Sequence, residues 1–379
     1  MFDYEMMRII WWLLLGVLLT GFAIMDGFDL GVAMLLPFVA RKDMERRVVI
    51  NTIGPIWEGN QVWIILGAGA IFAAWPLIYA VSFSSFYLAM LIVLLGFILR
   101  PVAIKYRSKM PDARWRSNWD RILCVAGLLP SLLFGVALGN VLEGIPFYFD
   151  DSLRMFYTGT LWGLLNPFAL LCGLVSVCML IMHGASYLAT KTENEVRQRA
   201  IYYGRIASIV MLLLFLAAGW WVHEGIVGYE VTSIVDHAGP SNPLHKTIST
   251  AVGAWQGNYR VEPLLWIAPL LVAAAVLGQL LFLGRGQSKW GFVFSSLAIT
   301  GVIATFGLSL FPFLLPSSSN PSMSLLVWDA SSSLLTLRIM LVATLIFMPI
   351  ILLYTAWVYR VMRGRVTAES IEGDSQNKY

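Results

Sequence analysis

Nine times between residues 9 and 359 the chain runs apolar for more than twenty residues, with polar loops between the runs. About 20 residues of helix cross a hydrocarbon core about 30 Å thick. No run keeps the period-two alternation, over about 10 residues, of a membrane strand. The runs are 9–40, 48–75, 79–104, 121–144, 162–189, 201–226, 262–284, 290–315 and 335–359. They predict an all-α, polytopic membrane protein with nine transmembrane helices. The first run is longer than one span, so it should tilt, bend near Pro37 or protrude. The second is the weakest, because it holds Asn51, Gly54, Pro55, Glu58, Asn60 and Gln61. Composition closes the alternatives. Hydrophobic residues make up 58% of the chain and charged ones 13%, against roughly 25% charged in soluble domains. So few charges cannot coat a soluble surface, which excludes a cytosolic enzyme, a secreted disulfide scaffold and a disordered chain. The segment Met1 to Arg8 has neither the basic start nor the cleavage site of a signal peptide, so the first span should be retained. One membrane domain covers 1–366, and 367–379 reads as a polar, disordered cytoplasmic tail.

Lysine and arginine orient the bundle, since cytoplasmic loops carry the excess. Alternate loops together hold 21 of the 26 basic residues, Arg100 and Lys105 among them, and the opposite side holds 5. This puts the N-terminus in the periplasm and the C-terminus in the cytoplasm. The net charge of +4 therefore faces the cytoplasm and needs no nucleic-acid partner. Two external segments have content: 227–261, with Asp236, His237, Asn242 and His245, and the hydroxyl-rich 316–334. Either can bind a ligand, dock a subunit or merely connect. Cys124, Cys172 and Cys178 lie in apolar runs and read as small buried hydrophobes.

Intramembrane acids are costly and usually functional. Asp26 and Asp29 fall in the first run, three residues apart and hence on one helix face. Glu58 falls in the second, on a face shared with Asn51, Pro55 and Gln61 or Val62. Asp29 lies roughly 18 Å from Arg41 and Glu58 roughly 17 Å from Arg47 along a helix, so both acids should sit near mid-membrane at a common depth. Three readings fit: a proton relay reached from the cytoplasm, a polar cluster that pins packing through Asn51, Asn60 or Gln61, and a cation site. Arg100 and Arg338, near span ends, should snorkel or meet an acid. Only four histidines are present, His183, His223, His237 and His245. They are too scattered to hold a haem between them, and no metal-ligand pattern appears. Most of the 15 tryptophans read as an interfacial belt, but Trp57 and Trp63 flank Glu58 further inside.

Several blocks now carry a resemblance. The N-terminal Trp11-Trp12 … Asp26-Gly27-Phe28-Asp29-Leu30-Gly31 and Trp57-Glu58-Gly59-Asn60-Gln61-Val62-Trp63 are similar to subunit II of the cytochrome bd quinol oxidases. So are Phe72-Ala73-Ala74-Trp75-Pro76, Arg100-Pro101, Gly139-Asn140, Ser241-Asn242-Pro243-Leu244, Phe311-Pro312-Phe313 and Trp328-Asp329-Ala330-Ser331-Ser332, in order over most of the chain. The resemblance implies two four-helix bundles plus one further helix, in a multi-pass protein of the bacterial inner membrane. It implies a respiratory terminal oxidase that oxidises quinol and reduces O2 to water with protons drawn from the cytoplasm. Low-spin and high-spin haem b and haem d are expected in a haem-bearing subunit I, the partner. A structural quinone in this chain and a small accessory subunit are compatible with it, beside quinol and membrane lipid. Glu58 matches an acid of the proton path, Trp63 a position near O2 access, and Asp26 and Asp29 the family's buried acids. Lys105 departs from the pattern, standing where an acid is expected, and a cation at the mouth of the path repels protons. The alternative from a different class is a proton- or cation-coupled secondary transporter or channel, which buried acids on broken helices also fit.

Overall fold

The computed structural model describes residues 3–373. Eight helices are long and apolar enough to cross a membrane. They are α1 (Tyr4–Val39), α5 (Tyr87–Tyr106), α6 (Ala113–Glu143), α7 (Pro167–Lys191), α8 (Asn194–Glu224), α10 (Ile267–Gly284), α11 (Ser288–Leu310) and α12 (Leu334–Val361). The remaining expected run, 48–75, is broken. A short α2 (Asp43–Ile53) ends before Gly54-Pro55, and α3 (Trp57–Ala74) starts after a turn. Proline has no amide hydrogen and disfavours helix in the residue before it, which together with the flexible Gly54 favours a break here, whereas Pro37, Pro101, Pro130 and Pro349 lie inside continuous helices. The face joining Asn51, Pro55 and Glu58 therefore does not exist. Asn51 instead donates to the carbonyl of Arg47 within α2. The run 79–104 is also divided, into α4 (Pro76–Ser85) and α5, at Phe86.

Helix α1 is the axis of the molecule, packed against α3, α6, α7 and α11. Around it α1, α3, α5 and α6 form one group, and α7, α8, α10 and α11 a second, while α12 leans mainly on α1 and α3. Only Leu337 of α12 is buried. Helices in a membrane approach closely where both present small residues, and α1 crosses α7 in this way. A Cβ on Gly31 would stand 2.0 Å from the Leu180 carbonyl oxygen, and one on Gly184 would stand 2.6 Å from the Gly31 backbone.

At the face away from most of the arginines, three two-stranded hairpins and the short α9 (Gly257–Val261) form a cap. The hairpins pair β1 (Phe147–Phe149) with β2 (Met155–Tyr157), β3 (Val227–Val231) with β4 (Ile248–Val252), and β5 (Phe313–Leu315) with β6 (Leu325–Leu326). The hydroxyl-rich 316–334 is thus folded rather than a loose connection: Leu325, Leu326 and Val327 join Trp75, Trp255 and Phe313 in one core. At the basic face Asp120 bridges Arg46 and Arg107, at 2.8 and 2.5 Å. The expected disordered tail begins instead with α13 (Ala368–Glu372), capped by Thr367 and burying Ile371 beside α2. Residues 374–379 of that tail lie outside the described residues.

Candidate functional site

Asp26 and Asp29 project from one face of α1 into the helix group and are completely buried. Arg100, from α5, is buried with them, its Nη1 2.7 Å from Asp26 Oδ1. Its guanidinium lies 5.5 Å from the Trp57 ring and 5.3 Å from that of Phe97, close enough for the ring faces to attract it. Of the two sequence alternatives for Arg100, snorkelling or an acidic partner, the structure selects the partner. Arg100 is therefore an interior cation, not one of the loop cations that orient the chain.

Asp29 meets α3 rather than an arginine. Its Oδ2 accepts a hydrogen bond from Asn60 Nδ2 at 2.7 Å, and Asn60 Oδ1 accepts one from the Tyr359 hydroxyl of α12, also at 2.7 Å. Three helices are joined by this short chain. It sets Asp29 level with the first turn of α3, where Glu58 also lies.

The cluster is under-satisfied. Apart from the ion pair, no guanidinium nitrogen of Arg100 and neither oxygen of Asp26 has a hydrogen-bond partner among the described residues. The same holds for Asp29 Oδ1 and the indole nitrogen of Trp57. A buried polar group left unpaired costs about 1–3 kcal/mol, and such groups are ordinarily met by water or a ligand. Two buried carboxyl groups also stand near one guanidinium, which is paired with Asp26 alone, so the three are charge-balanced when one carboxyl carries a proton. Burial makes that balance matter, because an uncompensated charge away from water is expensive.

Glu58 is not in this cluster, although it lies in the same first turn of α3 as Asn60 and so at the level of Asp29. It precedes Asn60 by two residues, about 200° around a helix, so the two project to opposite sides of α3. Its side chain is 66% exposed, and Lys105 Nζ lies 3.4 Å from its Oε1. The cation that departs from the family pattern thus stands beside this acid. Glu58 begins an outer stripe of α3 that continues through the exposed Val62, Ile65 and Phe72. Trp63 is on the inner side, buried against α1 where Gly21 makes room: a Cβ there would stand 2.5 Å from the indole.

Two of the four histidines are engaged by neighbouring side chains and backbone. His183 is buried, with Nδ1 2.8 Å from Ser295 Oγ, Nε2 2.9 Å from the Ile24 carbonyl and its ring stacked on Phe292. His237 stacks on Trp328 and meets Glu5 at 2.9 Å. Among the described residues no three His, Cys, Asp or Glu side chains gather as a metal site would require. The sequence offered Asn60 as one of three possible partners of the buried acids, but it did not point to Tyr359, which donates to Asn60. Asn60 lay within the weak second run, but nothing in α12 marked Tyr359, 299 residues away from Asn60.

Comparison with known proteins shows the family of the chain. The model for the cytochrome bd terminal oxidase subunit II family matches residues 7–362. The chain is 49% identical over 379 residues, the whole of both chains, to the cytochrome bd-I ubiquinol oxidase subunit 2 of Escherichia coli K12. It is 48% identical, again over all of both, to the probable cytochrome oxidase subunit 2 of Haemophilus influenzae. Its fold is similar to a chain of the bd oxidase from Geobacillus thermodenitrificans, with a TM-score of 0.69 at 13% identity, covering 94% of this chain and 98% of that one.

Proposed function

This chain belongs to the cytochrome bd terminal oxidase subunit II family and is a subunit of a respiratory terminal oxidase; on that premise we propose that Asp26, Asp29 and Arg100 form its proton-handling site. Reduction of O2 to water consumes protons, and these come from the cytoplasm, the side of the basic loops. The observation that carries the reading is the fully buried, incompletely hydrogen-bonded Asp26–Arg100 pair beside Asp29. A cluster kept only for packing would have its hydrogen bonds filled by its neighbours. This one holds two carboxyls against one cation and leaves three of their four oxygens without a hydrogen bond, open to exchange a proton with bridging water.

Glu58, paired with Lys105 on the outer side of α3, is the acid at the mouth of this path. The pair is largely exposed, so its mutual attraction is weak, about 0–1 kcal/mol, and does not lock the carboxylate. Trp63 belongs to an apolar passage for O2, a gas that partitions into lipid. The N-terminus is periplasmic and the C-terminus cytoplasmic, with α3 as the ninth span, in the bacterial inner membrane. The low-spin and high-spin haem b and haem d belong to subunit I, because the histidines here are engaged or exposed. The quinol site lies in that partner too.

The test is quinol-driven O2 uptake by the purified complex carrying Asp26→Asn or Asp29→Asn. Loss of a positioned proton-transfer group costs about 100-fold or more, with the haem spectrum of the complex retained. Turnover within twofold of the parent in both variants overturns the assignment.

A further inference from the structure

A second polar feature is independent of the buried acids. Between the basic-face ends of α7, α11 and α12 lies a cavity of about 680 Å³, within the roughly 300–1,000 Å³ of small-molecule sites. Five cationic side chains line it, Lys191, Arg197, Lys289, Arg363 and Arg365, and no acid does. Three of the five are fixed by the protein. Lys191 Nζ donates to the Met362 carbonyl at 2.7 Å, Arg197 Nη2 to the Gly286 carbonyl at 2.8 Å, and Arg365 pairs with Glu193 at 2.9 Å. Lys289 and Arg363 have no ion-pair or hydrogen-bond partner among the described residues. Arg363 also lines a smaller adjoining cavity with Arg360 and Trp357.

We propose that this cavity binds a phosphate-bearing anion, supplied by the headgroup of an anionic phospholipid, with Lys289 and Arg363 as its principal contacts. The charge argument sets the sign of the ligand, since uncompensated cations in one concave site focus an anion. The position argues for a lipid over a free ion. The exposed Trp290 lies in the wall and the exposed Trp357 close by, as interfacial anchors do. Toward the membrane centre α12 continues as an apolar surface with Ile350, Leu353 and Tyr354 exposed, along which acyl chains can lie. Basic pockets between membrane helices at the cytoplasmic side are suited to such headgroups. A zwitterionic headgroup would bring its own ammonium among five cations. Tyr359 is part of the wall, so the occupant sits beside the first hydrogen bond of the Tyr359–Asn60–Asp29 chain.

The experiment uses the purified, delipidated oxidase complex with intact haem absorbance. Native mass spectrometry follows titration with dioleoyl-phosphatidylglycerol, dioleoyl-phosphatidylcholine or inorganic phosphate. The expected result is saturable retention of phosphatidylglycerol over phosphatidylcholine, weakened about fivefold for each cation removed in Lys289→Gln and Arg363→Gln. Lys105→Gln, away from the cavity, leaves retention unchanged. If the double variant does not assemble, Arg363→Gln against Arg363→Lys carries the comparison, with retention restored by lysine. Retention that is equal for both lipids, or unchanged in every variant, overturns the proposal. Saturable binding of inorganic phosphate without any lipid retention overturns the lipid source and leaves phosphate as the ligand.

Discussion

Arg8 and Arg100 are both completely buried, and they are treated in opposite ways. Arg8, at the cap end of α1, spends every nitrogen. Its Nε donates to Ser331 Oγ at 2.7 Å, Nη1 to the His237 carbonyl at 2.5 Å, and Nη2 to the Gly239 carbonyl at 3.0 Å and to Ser241 Oγ at 3.1 Å. Its guanidinium sits 3.6 Å above the Tyr4 ring. Arg100 has an ion pair with Asp26 and no hydrogen bond among the described residues. The same side chain is thus a tie in one region and an unfilled site in the other. Burial of a charge alone does not separate structure from chemistry; the hydrogen bonds left open do. Lys246 and Asp329, 2.6 Å apart in the cap, fall between the two, since Asp329 Oδ2 has no hydrogen bond beside the ion pair. Asp329 Oδ1 also accepts from the Leu326 amide at 2.9 Å. Burial still holds the Asp329 carboxyl above the ordinary carboxylate range, against the pull of Lys246.

Substitutions can break this contrast, and the largest effect is expected in the interior. Arg100→Met leaves two buried acids without their cation. Stability of the complex should fall by about 3–5 kcal/mol, and O2 uptake per assembled complex by about 100-fold or more. Denaturation midpoints and turnover normalised to haem measure the two. Arg8→Met removes several charge-assisted hydrogen bonds, worth about 1.5–3 kcal/mol each before compensation. It should lower the denaturation midpoint clearly while turnover per assembled complex stays within twofold. Equal turnover losses in the two variants would erase the distinction. Lys246→Met combined with Asp329→Leu sharpens it further. Buried pairs are often replaceable by apolar residues of similar size, so the double variant should lie within about 1 kcal/mol of the parent while Lys246→Met alone is clearly worse. The smallest effect belongs to the surface. Lys105→Gln removes an exposed partner of Glu58, worth about 0–1 kcal/mol, and should move turnover less than threefold.

Much of the architecture was legible because apolar runs and loop charges are one-dimensional signals. Eight of the nine expected runs are helices capable of crossing a membrane. The failure at 48–75 came from extending helical spacing across Gly54-Pro55, where the chain turns. That single break undid the face assigned to Glu58, rotated the acid away from Asp29 and left Asn60 in its place. The pairing of Asp26 with Arg100 was open in the sequence only as one of two alternatives, since charge type predicts a partner but not its location. Tyr359 was invisible because its link to Asn60 depends on how α12 docks, not on any local pattern. The tail likewise read as polar, while the capping Thr367 and one buried residue, Ile371, suffice for a turn of helix.

The central claim is that Asp29 and Asp26, beside an unsatisfied Arg100, carry protons for O2 reduction. The most direct measurement mixes the fully reduced complex with O2 and follows proton uptake from the medium with a pH-indicator dye. The parent and Asp29→Asn complexes are compared, with O2 binding monitored through haem absorbance. The account predicts that O2 binds at the parent rate while proton uptake slows by about 100-fold. Proton uptake at the parent rate in Asp29→Asn, and equally in Asp26→Asn, would contradict it.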